Sequence, residues 1–127
     1  MISISHIDHI VLTVRHIPTT LEFYARVLGM NAIQFGDSRI ALKFGNQKIN
    51  LHESGKEFEP RSQTPTPGSA DLCLITHDAI DQAMDYIHSC KVDIVDGPVR
   101  RTGATGELLS FYIRDPDLNL IEISNQL

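Results

Sequence analysis

The sequence predicts an α+β fold in which two tandem βαβββ modules form a curved mixed sheet around a central cleft. Two observations lead to this prediction. Residues 9–33 and 71–95 share one hydrophobic pattern, without a gap, at a shift of 62 residues. Each copy is followed by a hairpin whose last strand alternates apolar and polar residues, which is the period of a half-buried strand. These strands read Ile49-Asn50-Leu51-His52 and Ile121-Glu122-Ile123-Ser124.

The first module is expected to span about residues 5–54, beginning with a strand over residues 7–14. Thr19 and Glu22 have the spacing of a capping box, so we expect a helix to start at Thr19. Gly29 then follows an apolar helical face and suits a left-handed cap. Three further strands are predicted over residues 30–35, 39–44 and 47–53.

The second module is expected to span about residues 70–127 and to repeat the same order. Asp78 is positioned to cap its helix. Asp115-Pro116-Asp117 predicts a tight turn in its final hairpin. Strands are predicted over residues 70–76, 92–95, 108–114 and 119–124. A proline-containing linker, residues 55–69, separates the modules, and residues 97–106 are predicted to be a mobile loop over a site.

Composition limits the class of protein. A chain of 127 residues is expected to be a single domain over residues 1–127, with enough length to bury a core. The formal net charge of −5 disfavours a nucleic-acid partner. No apolar run is long enough for a membrane span, so no membrane partner is expected. Cys73 and Cys90 are interpreted as small core residues in a reducing compartment, and we expect a cytoplasmic protein.

Period-two geometry places polar side chains on the sheet face away from the helices. The set is His9, Asn50, His52, Asp71 and Glu122. Imidazole and carboxylate groups suit a divalent ion such as Fe²⁺, Mn²⁺, Ni²⁺, Co²⁺ or Zn²⁺. Two histidines and one carboxylate would leave coordination positions open for a substrate. The sequence therefore predicts a divalent metal site, with the identity of the metal left open.

Three stretches of the sequence carry a resemblance to a known family: Asp8-His9-Ile10-Val11-Leu12-Thr13-Val14, Val27-Leu28-Gly29-Met30 and Asp115-Pro116-Asp117-Leu118-Asn119-Leu120-Ile121-Glu122. Through them the chain resembles the vicinal oxygen chelate superfamily, which includes glyoxalases, bleomycin resistance proteins and extradiol dioxygenases, and the resemblance covers nearly the whole chain. Residues 50–53, 55–60, 97–99 and 101–104 are also similar to the subgroup of glyoxalase domain-containing protein 5.

The resemblance implies metal ligands on the first and last strands of each module. His9 and Glu122 match two of these positions. A strict overlay of the two hairpins puts Asn50 at a third, but we favour His52, because neutral imidazole binds transition metals better than a carboxamide does. A bulge or register shift would absorb the offset of one pleat. Asp71 stands where the family often has histidine, so it is either a ligand or the general base.

The resemblance also implies a role for each candidate site residue. Metal ligands are expected to be His9, His52 and Glu122, with Glu122 and Asp71 catalytic. Substrate-binding residues are expected to be Asn50, Tyr112 and Arg101, with Arg100 an alternative to Arg101 for holding an anionic group.

We expect a divalent-metal-dependent glyoxalase-like lyase or isomerase of the lactoylglutathione lyase type, acting on a small oxygenated metabolite. Two alternatives remain open. One is an extradiol-type dioxygenase, which uses the same set of two histidines and one glutamate. The other is a protein that binds a small molecule or antibiotic without turning it over. A homodimer is expected in each case. Fold alone does not choose among these functions.

Overall fold

The structure is a computed structural model that describes residues 1–127. It contains two compact units, residues 1–67 and residues 68–127. Each unit has the predicted β-α-β-β-β order. The elements are β1 (His9–Val14), α1 (Ile17–Leu28), β2 (Asn31–Phe35), β3 (Arg39–Phe44), β4 (Gln47–Glu53), β5 (Asp71–Ile75), α2 (Ile80–Ser89), β6 (Asp96–Thr102), β7 (Glu107–Arg114) and β8 (Leu120–Gln126).

The first unit is a four-stranded mixed sheet in the order β1-β4-β3-β2. β1 runs parallel to β4, whereas the β2–β3 and β3–β4 pairs are antiparallel. Helix α1 packs on β2 and β4. The apolar side of the sheet and the helix form a core in which Tyr24, Val14 and Leu42 have no solvent exposure. Burial of this kind is the main favourable contribution to folding.

The second unit repeats this topology, with strand order β5-β8-β7-β6. β5 is parallel to β8, and the other two pairs are antiparallel. Helix α2 packs on β7. Phe111, Ile113 and Ile121 are fully buried in its core. Neither helix of the chain has the length and hydrophobicity that a membrane span requires.

Both predicted N-caps, Thr19 and Asp78, are wrong, and local geometry explains why. Helix α1 begins two residues earlier than expected, with His16 as its N-cap, and the His16 side chain accepts a hydrogen bond from the Thr19 amide. Pro18 fits inside the first turn because the amide groups there need no intrahelical acceptor. The N-cap of α2 is Ala79, without a side-chain cap, while the Asp78 amide donates to Oγ1 of Thr76.

The C-terminal cap of α1 is as predicted. Gly29 adopts φ +66°, and the chain turns there with its amide donating to the carbonyl of Ala25. A residue without Cβ occupies this left-handed conformation at little cost, which is why glycine marks helix ends.

The segment between α2 and β7 differs from the prediction. Residues 92–95 do not form a strand, and residues 96–102, expected to lie in a mobile loop, form β6. β6 pairs with β7 and has a register shift between Asp96 and Val99. Most of its residues are exposed, as suits an edge strand, so no alternating apolar pattern marked it in the sequence.

Candidate functional site

Two polar residues of β4, Asn50 and His52, are buried although they alternate with its core residues. Asn50 is 5% exposed and His52 is 3% exposed, while Ile49 and Leu51 are each 1% exposed. Alternate residues of a strand point to opposite faces, so Asn50 and His52 share the face opposite Ile49 and Leu51. An exposed hairpin position, the simplest alternative for His52, is thereby excluded.

Burial controls the chemistry of His52. The Phe58 ring packs against its imidazole, with centroids 5.7 Å apart at an interplanar angle of 64°. Burial lowers the pKa of His52, and the nearby Arg39 cation lowers it further. The imidazole is therefore held in its neutral form, which is the form that binds metals. Its Nε2 atom is buried and has no hydrogen-bond partner.

An open pocket of about 240 Å³ lies beside His52. Val11 and Thr13 of β1 line one part of it, and Thr13 is the register partner of His52. Residues 60–62, which follow β4 in the chain, line the rest. The pocket mixes polar and apolar groups in the way that suits a small oxygenated ligand.

Asn50 on β4 and Glu122 on β8, the last strands of the two units, occupy equivalent positions in their sheets. Asn50 lies between Val11 and Ala41 in the sheet, and Glu122 lies between Cys73 and Tyr112 in the same way. The β1–β4 register is unbroken over all six pairs. No bulge therefore moves His52 into the position that corresponds to Glu122, and that expectation is wrong.

His9 begins β1 and is paired in register with Lys48. Its Nδ1 lies 2.7 Å from a carboxylate oxygen of Asp8. A carboxylate at Nδ1 favours the tautomer with its proton there, which leaves a lone pair on Nε2. The same arrangement orients metal-binding histidines in many proteins. The hydrogen bond lowers the pKa of Asp8, with a smaller contribution from the Lys48 charge.

Glu122 in the second unit is held by two serines. The hydroxyl of Ser110 donates to Oε2 at 2.6 Å, and that of Ser124 lies 3.4 Å from the same oxygen. Ser110 and Ser124 are fully buried, and their hydroxyls are 2.7 Å apart. Buried hydroxyls that lock a carboxylate in this way reduce the entropy that it loses on binding a ligand.

Two predicted substrate-binding residues lie next to Glu122. Tyr112 is its register partner on β7. The Nε of Arg101 donates to the Tyr112 hydroxyl at 2.9 Å, and this bond raises the pKa of Arg101. Arg100, in contrast, pairs with Glu107 on the exposed side of the same hairpin. The structure thus brings Arg101, Tyr112 and Glu122 together and separates Arg100 from them.

Asp71 is exposed at the start of β5, in register with Leu120. The next residue on its face is Cys73, which lies beside Glu122 with Sγ 3.3 Å from the Ser124 hydroxyl. Its partial burial raises the pKa of the thiol, and the Glu122 charge adds to that effect. Cys73 is exposed when the whole residue is considered, so its interpretation as a core residue is wrong. Its position two residues after Asp71 was the signal that could have revealed this.

The donor atoms fit a divalent ion, although neither unit contains three or more His, Cys, Asp or Glu side chains arranged together to hold one. The fit is clearest at His52, where a neutral imidazole presents a buried nitrogen without a partner. Leaving such an atom unsatisfied is costly, so it marks a place where a ligand or ion would bind.

Comparison with known proteins agrees with this architecture. A model of the glyoxalase/bleomycin resistance protein/dioxygenase superfamily matches residues 6–123. The chain therefore belongs to this superfamily.

Two curated relatives are similar over most of the chain. The chain is 59% identical to virulence protein STM3117 of Salmonella typhimurium over 121 residues, covering 95% of this chain and 84% of that protein. It is 52% identical to glyoxalase domain-containing protein RDO1 of Mycosarcoma maydis over 124 residues, covering 98% of this chain and 70% of that protein.

Solved structures are similar in fold. The crystal structure of STM3117 aligns with a TM-score of 0.98, at 56% identity, over 99% of this chain and all of that one. Lactoylglutathione lyase from Agrobacterium tumefaciens aligns with a TM-score of 0.72 at 20% identity, over 95% and 93% of the chains. TnmS3, an antibiotic-binding protein from Streptomyces, aligns with a TM-score of 0.77 at 22% identity over the full length of both. The last two likenesses concern the fold alone.

Proposed function

We propose that this protein is a divalent-metal-dependent glyoxalase-like enzyme, a lyase or isomerase of the lactoylglutathione lyase type. Its substrate would be a small oxygenated metabolite. The observation that supports this most directly is the Nε2 atom of His52, which is buried, neutral and without a partner. A purely structural histidine in that position would be expected to have a hydrogen-bond partner.

The proposed metal ligands are His9, His52 and Glu122. His9 is oriented by Asp8, and Glu122 is oriented by Ser110. Both contacts are of the kind that fix a ligand side chain before the ion binds. When bound, the divalent ion would hold oxygen atoms of the substrate and stabilise the negative charge that develops on them.

The remaining residues have roles in proton transfer and orientation. Asp71 would remove a proton from a carbon next to a carbonyl and return it to the neighbouring carbon, so that the isomer forms without net loss of a proton. Because the Tyr112 hydroxyl already accepts from Arg101, its own proton is left to donate to a substrate oxygen. The Asn50 amide, on the same face as His52, would hydrogen-bond another polar group of the substrate.

The test combines metal content with activity. The purified protein is loaded with each of Fe²⁺, Mn²⁺, Ni²⁺, Co²⁺ and Zn²⁺, and bound metal is measured together with isomerisation of a glutathione hemithioacetal. We expect one ion per chain, lost in His52→Ala and Glu122→Ala. The exposed His77 provides the matched control, because His77→Ala removes an imidazole outside the proposed set. Equal metal binding by His52→Ala and His77→Ala would contradict the proposal.

A second candidate function is the binding of a small molecule without turnover. The open pocket beside His52 supports it, as does the fold shared with an antibiotic-binding protein. Recovery of a bound ligand unchanged after prolonged incubation with metal-loaded protein would favour this candidate. The dioxygenase alternative requires molecular oxygen, so oxygen consumption with a catechol substrate distinguishes it from both.

The homodimer and the cytoplasmic location stay predictions. Light scattering on the purified protein measures the first, and fractionation of cells that express the tagged chain measures the second.

A further inference from the structure

Two cationic side chains of the first unit lie against one aromatic ring. The Nζ of Lys48 is 3.7 Å from the centroid of the Phe35 ring, and the Cζ of Arg39 is 5.3 Å from the same point. Phe58 provides a second ring for Arg39, at 4.6 Å. Neither cation takes part in the ion pairs of the structure. Packing therefore holds two like charges near each other without an acidic partner.

These cations belong to the face that carries the candidate ligands. Lys48 pairs with Lys43, and Asn50 pairs with Ala41, so the even-numbered residues of β4 share a face with the odd-numbered residues of β3. Arg39 is on that face, and its charge acts on His52. Asn50 lies between Lys48 and His52 along the strand.

Two carboxylates that interact electrostatically with residues of this face, Asp8 and Glu57, already have other hydrogen-bond partners. Asp8 interacts electrostatically with Lys48, but its carboxylate oxygen is hydrogen-bonded to Nδ1 of His9. Glu57 interacts electrostatically with His52, and its carboxylate accepts from the Gly55 amide at 2.9 and 3.2 Å. In a chain with a net charge of −5, this is a local excess of positive charge rather than an average property of the surface.

The contacts of Arg39 with the Phe35 and Phe58 rings favour binding of an anion by its guanidinium group. A guanidinium held on aromatic faces keeps its in-plane N–H donors free and loses little entropy when they bind. Its fork matches the two oxygens of a carboxylate or phosphate. Lys48 would supply a second positive charge beside it.

We propose that Arg39 and Lys48 form an oxyanion-binding site for a carboxylate or phosphate group of the ligand. This deepens the proposed function by naming the charge of the substrate. It rests on that function only in the claim that the bound molecule is the substrate. Binding of the anionic group itself does not require a metal.

The experiment follows backbone amide signals of the isotopically labelled protein in a chelator. Inorganic phosphate and malonate are titrated separately, with chloride at matched ionic strength as the reference. The variants Arg39→Gln and Lys48→Gln each remove one charge from the site. Arg114→Gln and Lys91→Gln remove the same charges from exposed positions of the second unit. Arg39→Lys keeps the charge and removes the fork.

We expect saturable shifts at residues 39 and 48 in the wild type and in both control variants. Each site variant should bind about tenfold more weakly, as expected for loss of one charge-assisted hydrogen bond. The anion affinity of Arg39→Lys should lie between that of the wild type and that of Arg39→Gln. The spectra themselves report whether each variant is folded.

Absence of saturable shifts with both probes would overturn the inference. Equal weakening by the site and control variants would also overturn it, because the binding would then follow net charge alone. The difference between the two titrations shows whether the site prefers carboxylate or phosphate. Anion binding by a protein that takes up no metal would leave this inference standing while the metal proposal failed. Metal uptake without anion binding would leave the metal proposal standing and overturn this inference.

Discussion

The hydroxyl of Ser110 donates a hydrogen bond of 2.6 Å to Oε2 of Glu122 from a fully buried position. The two residues lie on neighbouring strands, β7 and β8, and Glu122 is two residues from Ser124, the register partner of Ser110. Glu122 is thereby held by the sheet itself and not by a flexible loop. Rigid placement of this kind is what a ligand-binding carboxylate needs.

Ser110→Ala is expected to weaken metal binding by about tenfold, the lower end of the usual effect of removing an outer-shell partner. It should also reduce the free energy of unfolding by about 1–2 kcal/mol, because the buried Ser124 hydroxyl loses a neighbour. Competition with a chelating dye and urea unfolding measure the two effects. Ser54→Ala, at an exposed position, is the control. Unchanged metal affinity in Ser110→Ala would argue against Glu122 as a ligand.

Stability should depend on pH through His52. Burial, and then the charge of Arg39, lower its pKa in the folded state below the ordinary histidine value of about 6.5. The unfolded chain therefore binds more protons in the window just below pH 6.5, so stability is complete above this window and falls as the pH decreases through it. Unfolding of wild type and His52→Gln should be compared from pH 7 downwards.

The free-energy difference between these two proteins should shrink as the pH falls through the window. His88→Gln, which removes an exposed histidine, should show no such change. A difference independent of pH would show that the imidazole of His52 is not held in its neutral form.

Asp115 stabilises the turn before β8. One of its carboxylate oxygens accepts from the amides of Asp117 and Asn119, each at 2.9 Å, and the other accepts from the Asn119 side chain at 2.8 Å. All three residues are at most 4% exposed. Asp115→Ala should therefore cost about 3 kcal/mol, roughly 1 kcal/mol for each hydrogen bond. Urea unfolding tests this, and the exposed Asp93→Ala should stay within about 0.5 kcal/mol of wild type.

Gly97 and Gly29 offer a matched test of the β6 assignment. Both have positive φ, but a Cβ at Gly97 would lie 2.6 Å from the Ser110 carbonyl oxygen and 2.7 Å from the Phe111 Cα, whereas one at Gly29 would meet nothing within 4 Å. Gly29→Ala should lower the free energy of unfolding by about 1 kcal/mol, from backbone strain alone. Gly97→Ala should cost about 3 kcal/mol, since overpacking adds to that strain.

Equal costs for the two substitutions would mean that residues around Gly97 do not pack on β7. Amide hydrogen exchange gives an independent measurement, because the amide of Val95 donates to the Tyr112 carbonyl and should be protected.

Much of the fold could be predicted from the sequence because it depends on local patterns. The bounds of β3 and β4 agree with the alternation in residues 39–53, and Gly29 ends α1 because only a left-handed residue suits that point. The helix starts could not be predicted in the same way. Several residues near each helix start could accept a hydrogen bond from the first free backbone amides. That His16 rather than Thr19 is the N-cap of α1 depends on where the chain leaves β1.

The candidate site shows the same division. The sequence by itself determined the repeat, and it determined which polar residues share a face with Asn50 in the first unit and with Glu122 in the second, because these follow from period and spacing. The superfamily was indicated by its resemblance to matching stretches of sequence. Only the tertiary structure decided that His52 is buried under Phe58 and beside Arg39, that Arg101 reaches Tyr112, and that β6 is a strand. Those features depend on side chains and strands that meet across the fold, and no local pattern encodes the surroundings that a residue acquires from distant parts of the chain.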